Sequence, residues 1–138
     1  MRRVMVFGSF DPLHEGHRSL FRQARRQGDE LIVVVAKDVN LKRFKGHEPR
    51  LDENARLALV RREPLVDDAL LGDEEDYIKV IVQHQPDVII LGYDQTTYDD
   101  EELRRRLSER GVQPEIMRAV AFKPERYKSS RINGLSRG

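Results

Sequence analysis

The sequence contains no cysteine and no tryptophan. Disulfide scaffolds, thiolate zinc sites and cysteine nucleophiles are therefore excluded. Excess charge of one sign is missing as well. The 25 Lys+Arg stand against 24 Asp+Glu, a formal net charge of +1. That balance removes the broad electrostatic argument for a nucleic-acid or membrane-surface protein, and leaves only local basic patches open. No long hydrophobic run occurs: Leu31–Ala36 and the apolar part of Asp87–Leu91 fall far short of the ~20 residues a membrane helix needs. Met1-Arg2-Arg3 is followed by a short mixed stretch with Gly8, Asp11 and His14, not by the apolar core of a signal peptide. The expectation is a cytoplasmic protein without nucleic-acid or membrane partners. Its 138 residues suit a single domain, 1–138. With 36% charged residues and a mean hydropathy of −0.65, the surface should be rich in ion pairs.

Short apolar runs alternate with amphipathic stretches. Val4–Phe7 reads as a first strand ended by Gly8. His17–Gln27 reads as a helix with Leu20, Phe21 and Ala24 at helical spacing and Gly28 as its stop. Leu31–Ala36 has the continuous apolar character of a strand buried on both faces. Leu51-Asp52-Glu53 has the form of a staple and N-cap before a helix carrying Ala55, Leu57, Ala58, Leu59 and Val60. Ala69–Leu71 is a weak strand pattern, Tyr77–His84 a helix ending before Pro86, and Asp87–Leu91 a strand ended by Gly92. Glu101–Arg110 is a charged helix with Gly111 as its stop. Glu115–Ala119 reads as a fifth strand and Lys128–Leu135 as a short last helix. The least structured stretch is the basic Lys37–Arg50. This alternation predicts an α/β, Rossmann-like open parallel five-stranded sheet with helices on both faces. Ligands of such sheets bind beyond the carboxyl ends of the strands, so Gly8–His17, Lys37–Arg50 and Gly92–Tyr98 should meet there.

Gly8-Ser9-Phe10-Asp11-Pro12-Leu13-His14-Glu15-Gly16-His17 lies between the first strand and the first helix, where backbone N–H groups and the helix dipole favour an anion. The spacing of three puts His14 and His17 on neighbouring turns. Gly16 leaves room for a phosphate to approach the backbone. Imidazoles can donate hydrogen bonds to phosphate oxygens. The P-loop pattern is absent, and the histidines are one position too close for the metalloprotease His-Glu-x-x-His. On spacing alone, a surface pair or a metal site is the plainer reading.

Gly8-Ser9-Phe10-Asp11-x-x-His14-x-Gly16-His17 resembles the His-x-Gly-His signature of the nucleotidyltransferase superfamily, which includes cytidylyltransferases, pantetheine-phosphate adenylyltransferases and FAD synthetases. The likeness extends over nearly the whole chain. The second family signature, two hydroxyls opening the last helix, is matched by Tyr127-Lys128-Ser129-Ser130-Arg131-Ile132, with Lys128 in place of the first Ser. Lys123 matches the Arg that precedes this motif in cytidylyltransferases. Alone, a Ser-Ser pair is more often only a cap. Lys37–Gly46 and Leu91-Gly92-Tyr93-Asp94-Gln95 resemble archaeal-type FAD synthetases, whereas glycerol-phosphate cytidylyltransferases tend to carry Trp at the position of Gln95.

The resemblance implies an adenylyltransferase that moves AMP from ATP to FMN, giving FAD and pyrophosphate. A CTP-dependent cytidylyltransferase acting on glycerol 3-phosphate or a related alcohol is the alternative, and a non-catalytic nucleotide sensor a third reading. His14, His17 and Lys42 take the catalytic roles. Gly8, Ser9, Phe10, Asp11, Gly16, Arg56, Gly92, Asp94, Lys123, Ser129 and Ser130 are the expected nucleotide-binding residues. Mg²⁺ is held mainly by phosphates, with no dedicated protein site and Asp11 as the nearest carboxylate. Arg56 matches a family Arg that faces the nucleotide; an exposed charge pairing with Asp52 is its plainer reading. For Asp94 a loop cap is the plainer alternative. Phe10, Phe44, Tyr93 and Tyr98 are the aromatic supply for a flavin ring, although Phe10 and Phe44 serve equally well as anchors of their own loops. A homodimer is also implied by the family.

Overall fold

A computed structural model describes residues 2–11, 13–45, 48–73, 77–91 and 100–119, with the backbone alone at 43–45 and 77. Strand β1 (Arg3–Gly8) leads through α1 (Glu15–Arg25) to β2 (Glu30–Val35), α2 (Asp38–Lys45), α3 (Glu53–Arg61) and β3 (Asp68–Leu71). The chain then returns through α4 (Tyr77–His84), β4 (Val88–Leu91), α5 (Asp100–Ser108) and β5 (Glu115–Arg118). The strands form one five-stranded sheet in the order β3-β2-β1-β4-β5, and every neighbouring pair is parallel. The chain winds outward from β1 in one direction and then in the other. The reversal lies between β1 and β4, and the crevice beyond their carboxyl ends is the expected ligand site.

Strand periodicity divides the core into two layers. Val4, Val6, Leu31, Val33 and Val35 pack with Leu20, Phe21 and Ala24 of α1 and with Leu57 and Val60 of α3. Met5, Ile32, Val34, Ile89 and Leu91 pack instead with Ile78, Val80 and Ile81 of α4 and with Leu103 and Leu107 of α5. Successive side chains of one strand thus enter opposite layers, which is why β2 and β4 read as continuous apolar runs. No helix among the described residues is long and apolar enough to cross a membrane.

The amino edge is held by polar bonds. The backbone N–H of Arg2 donates to Asp29 and that of Arg3 to Asp87, while the Arg3 guanidinium bonds Glu30 and the His84 carbonyl.

Two local expectations need correction. The stretch 37–50 is not uniformly irregular, because α2 occupies Asp38–Lys45. Its start is fixed from outside: the Asp38 N–H donates to the Glu53 carboxylate of α3 at 2.8 Å. The first helix also starts two residues before His17, with His14 as its N-cap. The last-helix expectation at Lys128–Leu135 lies outside the described residues.

Gly28 and Gly111 follow helices for different reasons. Gly111 has φ +81, the left-handed conformation of a helix stop. Gly28 is needed for space. A Cβ there would lie 2.6 Å from the Arg2 carbonyl oxygen and 2.7 Å from a Val4 methyl. That oxygen accepts the N–H groups of Asp29 and Glu30, so it cannot give way cheaply. Gly28→Ala is expected to destabilise the fold by about 1–3 kcal/mol, the range for overpacking, seen as a lower urea midpoint at unchanged slope. An unaltered midpoint would show that the approach of α1 to β1 is looser than described.

Candidate active site

The loop leaving β1 reaches α1 through a reciprocal cap made of two imidazoles. His14, in an extended conformation, accepts the Gly16 N–H on its Nδ1 at 3.0 Å. His17, one turn into the helix, accepts the His14 N–H on its own Nδ1 at 3.1 Å. The His17 and Arg18 N–H groups both go to the His14 carbonyl. This is the capping-box arrangement, with imidazole nitrogens in place of hydroxyl and carboxylate oxygens. The Gly16 N–H is therefore occupied by His14. Beyond the cap the two rings lie face to face, centroids 3.9 Å apart and planes 30° from parallel.

The pair is seated on the core. Phe10 is fully buried and adopts φ 55, a left-handed conformation that costs a non-glycine residue roughly 1–3 kcal/mol. It turns the ring inward, onto Phe21 at 5.7 Å and edge-on to His17 at 4.8 Å. A Cβ on Gly8 would meet this ring at 2.7 Å, so Gly8 supplies the space that Phe10 fills. Phe10 is thus a prop under the histidines, and its ring forms no wall for a flavin.

Arg56 departs furthest from expectation. It is the buried charged side chain of the described core, neither exposed nor paired with Asp52. Its Nε donates to the Leu51 carbonyl at 3.0 Å, and its Nη1 to the carbonyls of Ser9 at 2.9 Å and Ala36 at 2.7 Å. Its Nη2 pairs with Asp38 at 2.7 Å. With these bonds made, Arg56 holds the site's frame. Asp52 keeps its expected place as N-cap of α3, accepting from the Ala55 N–H. Asp11 makes a second tie, accepting the N–H groups of Arg50 at 2.7 Å and Leu51 at 2.9 Å. Desolvation pushes its carboxyl pKa up. The two backbone donors and the charges of Arg56 and Arg50 outweigh that and hold it below the usual value.

Lys42 projects from α2, exposed, and pairs with Glu48 at 2.8 Å. The Glu48 carboxylate raises its pKa, first through the hydrogen bond and then through its charge. The loop from β1 and the segment after β2 do meet at the carboxyl edge, joined by Arg56 and Asp11. Gly92, Asp94, Lys123, Ser129 and Ser130 lie outside the described residues, as do Tyr93, Tyr98 and the Phe44 side chain.

Desolvation, followed by the nearby Arg18 charge, lowers the His14 pKa below 6.5, and Glu15 opposes this only in part. Protonating Nδ1 would also break the bond from Gly16. A pKa depressed in the folded state gives stability that is present above pH 6.5 and lost as pH falls through the folded value. His14→Asn keeps a capping oxygen that does not titrate. Wild type should therefore lose stability relative to His14→Asn as pH is lowered from 7 to 5, measured by urea unfolding. Parallel curves would disprove the titrating cap.

Arg56→Met leaves three carbonyls and the Asp38 carboxylate facing a thioether. Because the Asp38 side chain is 33% exposed, the expected cost is about 3 kcal/mol, the low end for breaking a buried pair. A loss below 1 kcal/mol in denaturant unfolding would contradict the latch.

The model of the cytidylyltransferase-like family matches residues 5–134. The FAD synthase of Thermoplasma acidophilum is 43% identical over 132 residues, spanning 96% of this chain and 92% of its own. That of Methanoculleus marisnigri is 42% identical over 134 residues, spanning 96% and 87%. A Thermoplasma volcanium crystal structure, described as a lipopolysaccharide core biosynthesis protein, has a TM-score of 0.83 at 43% identity and covers 88% of this chain and 98% of that one. The chain belongs to the cytidylyltransferase-like family and is a nucleotidyltransferase.

Proposed function

We propose that this nucleotidyltransferase, one domain over 1–138, transfers AMP from ATP to FMN. A phosphate oxygen of FMN forms a bond to the α-phosphorus of ATP, the bond to the bridging β-oxygen breaks, and pyrophosphate leaves. The observation that carries transfer chemistry is the imidazole pair fixed at the start of α1 beside the carboxyl end of β1. The FMN acceptor rests on relatives named FAD synthase at 40–43% identity.

The attacking phosphate is already an oxyanion, so no general base is required. Catalysis reduces to placement and to donors that meet developing charge. His14 and His17 donate to the α-phosphate. Lys42 takes the β- and γ-phosphates, exchanging Glu48 for a phosphate oxygen, with Lys123 and the Ser129/Ser130 start of the last helix as further ligands. Gly8, Ser9 and Asp11 shape the nucleotide loop, and Gly92 and Asp94 close it from β4. Both Asp11 oxygens accept backbone N–H groups. That donor set fits Mg²⁺ arriving on the nucleotide, with Asp11 reached through water. The ion supplies charge neutralisation on the phosphates. Cytoplasmic residence and a homodimer complete this reading on the strength of the family likeness.

FMN with MgATP should yield FAD and pyrophosphate, followed by the fall in flavin fluorescence, while CTP with glycerol 3-phosphate gives little product. Faster cytidylyl transfer would remove the FMN assignment and leave the transferase chemistry standing. His17→Ala should fold and lose roughly 10²–10⁴ in rate, the range for a transition-state donor. A normal rate on bound substrate would remove that role.

A further inference from the structure

Resting on the reading in which Lys42 takes the β- and γ-phosphates, we infer that Glu53 is a positioning residue for polyphosphate binding. It fixes the start of the helix that presents Lys42 and does not itself touch the nucleotide. The first N–H groups of α2 need acceptors from outside the helix. The residue before the helix is Lys37, whose carbonyl accepts the N–H groups of Asn40 and Leu41. Its ammonium can donate but not accept, so that side chain cannot cap α2. Glu53 supplies the missing oxygen from the next helix, accepting the Asp38 N–H on Oε1 at 2.8 Å. Glu53 is also the first residue of α3. One carboxylate thus stands at the positive end of two helix dipoles.

Helix α2 depends on such ties. Its eight residues fall below the length at which a helix is stable alone. Among its described apolar side chains Leu41 is buried and Val39 exposed. The start is held instead by α3: Arg56 bonds the Ala36 carbonyl and the Asp38 carboxylate, and Glu53 bonds the Asp38 N–H. Lys42 follows Asp38 by one turn on the same face. Glu48 is the main cause of the raised Lys42 pKa, and the Asp38 charge adds to it. The exposed pair with Glu48 must open for a phosphate, so it cannot keep Lys42 in place during binding. The docked start can, because neither Asp38 nor Glu53 has to release its partner. Arg56 also bonds Ser9 in the loop from β1, whereas the Glu53 bond reaches α2. Substituting Glu53 therefore separates the presentation of Lys42 from the frame of the site.

The test combines calorimetric binding of MgATP and of AMP with amide hydrogen exchange, on the full chain carrying Glu53→Ala, Glu53→Gln, Lys42→Ala or the two alanine changes together. Glu53→Ala should speed exchange in α2 and weaken MgATP roughly 3–10-fold, because the docked start is less populated. AMP, which lacks the β- and γ-phosphates, should bind as it does to wild type. Glu53→Gln keeps an acceptor oxygen and should restore most of the MgATP affinity. In the Lys42→Ala background, Glu53→Ala should cost no further affinity. Equal weakening of AMP would make Glu53 a support of the whole site and overturn the inference. An undiminished loss in the absence of Lys42, or unchanged exchange in α2, would overturn it as well. If Lys42→Ala weakens MgATP while Glu53→Ala does not, the positioning role alone falls. If Lys42→Ala binds MgATP as wild type does, the phosphate role of Lys42 falls first and takes the positioning role with it.

Discussion

The guanidinium of Arg56 joins the start of its own helix to the two segments that follow β1 and β2. It bonds the carbonyls beyond β1 and β2, the first residue of α2 and the residue before the N-cap of α3. A buried charge is tolerated only when its hydrogen-bonding capacity is used. The planar fork of Arg reaches several acceptors at once, which a Lys ammonium on a single stem does not reproduce. Ser9, held by its carbonyl, precedes Phe10, and the ring of Phe10 supports His17. The Asp11 carboxylate ties the same loop again to the start of α3. The position of the imidazole pair thus depends on α3, an element that contributes no imidazole.

The sheet and most helices were legible because their signals are local. β2 is apolar from Leu31 to Val35 and buried on both faces, so its run had one plausible reading. Tyr77–His84 shows helical spacing and a proline two residues beyond its end, and the helix spans those residues. Asp52 was legible as a cap for the same reason. Helix α2 was hidden because Asp38–Lys45 has little apolar content, and its start is secured by Glu53 and Arg56 from the next helix. No window of sequence contains those partners. Arg56 was expected to face the nucleotide, with an exposed charge as the plainer alternative; its buried setting is revealed only by the carbonyls of Ser9 and Ala36, which no local pattern announces.

The signature loop was legible as a site and opaque as a mechanism. Its spacing brought His14 and His17 together, and the imidazoles were the expected donors to phosphate. What the spacing did not show is that the Gly16 N–H is taken by the His14 ring. Phe10 was open between a ligand wall and an anchor, and its positive φ with the space at Gly8 decides for the anchor. Lys42 has a different status. Its pair with Glu48 is exposed, and such pairs are weak because water and salt screen them. A polyphosphate carrying several charges competes well with one carboxylate, so the Glu48 contact is compatible with a phosphate role for Lys42.

Helix N-caps are usually Ser, Thr, Asp or Asn, whose oxygens accept without titrating near neutrality. An imidazole is a costlier cap, because protonation at Nδ1 removes its acceptor. What it gives in return is a second nitrogen on the same rigid ring, which a hydroxyl or carboxamide cap does not place at that distance. Two imidazoles capping reciprocally deliver two such nitrogens from four residues of sequence, oriented by backbone bonds that form whenever α1 forms. On the proposed transfer chemistry, the imidazoles are organised before the phosphate arrives, the condition under which electrostatic stabilisation needs least reorganisation. The acid sensitivity expected of the helix start has its origin in the same ring, at the Nδ1 that accepts from Gly16.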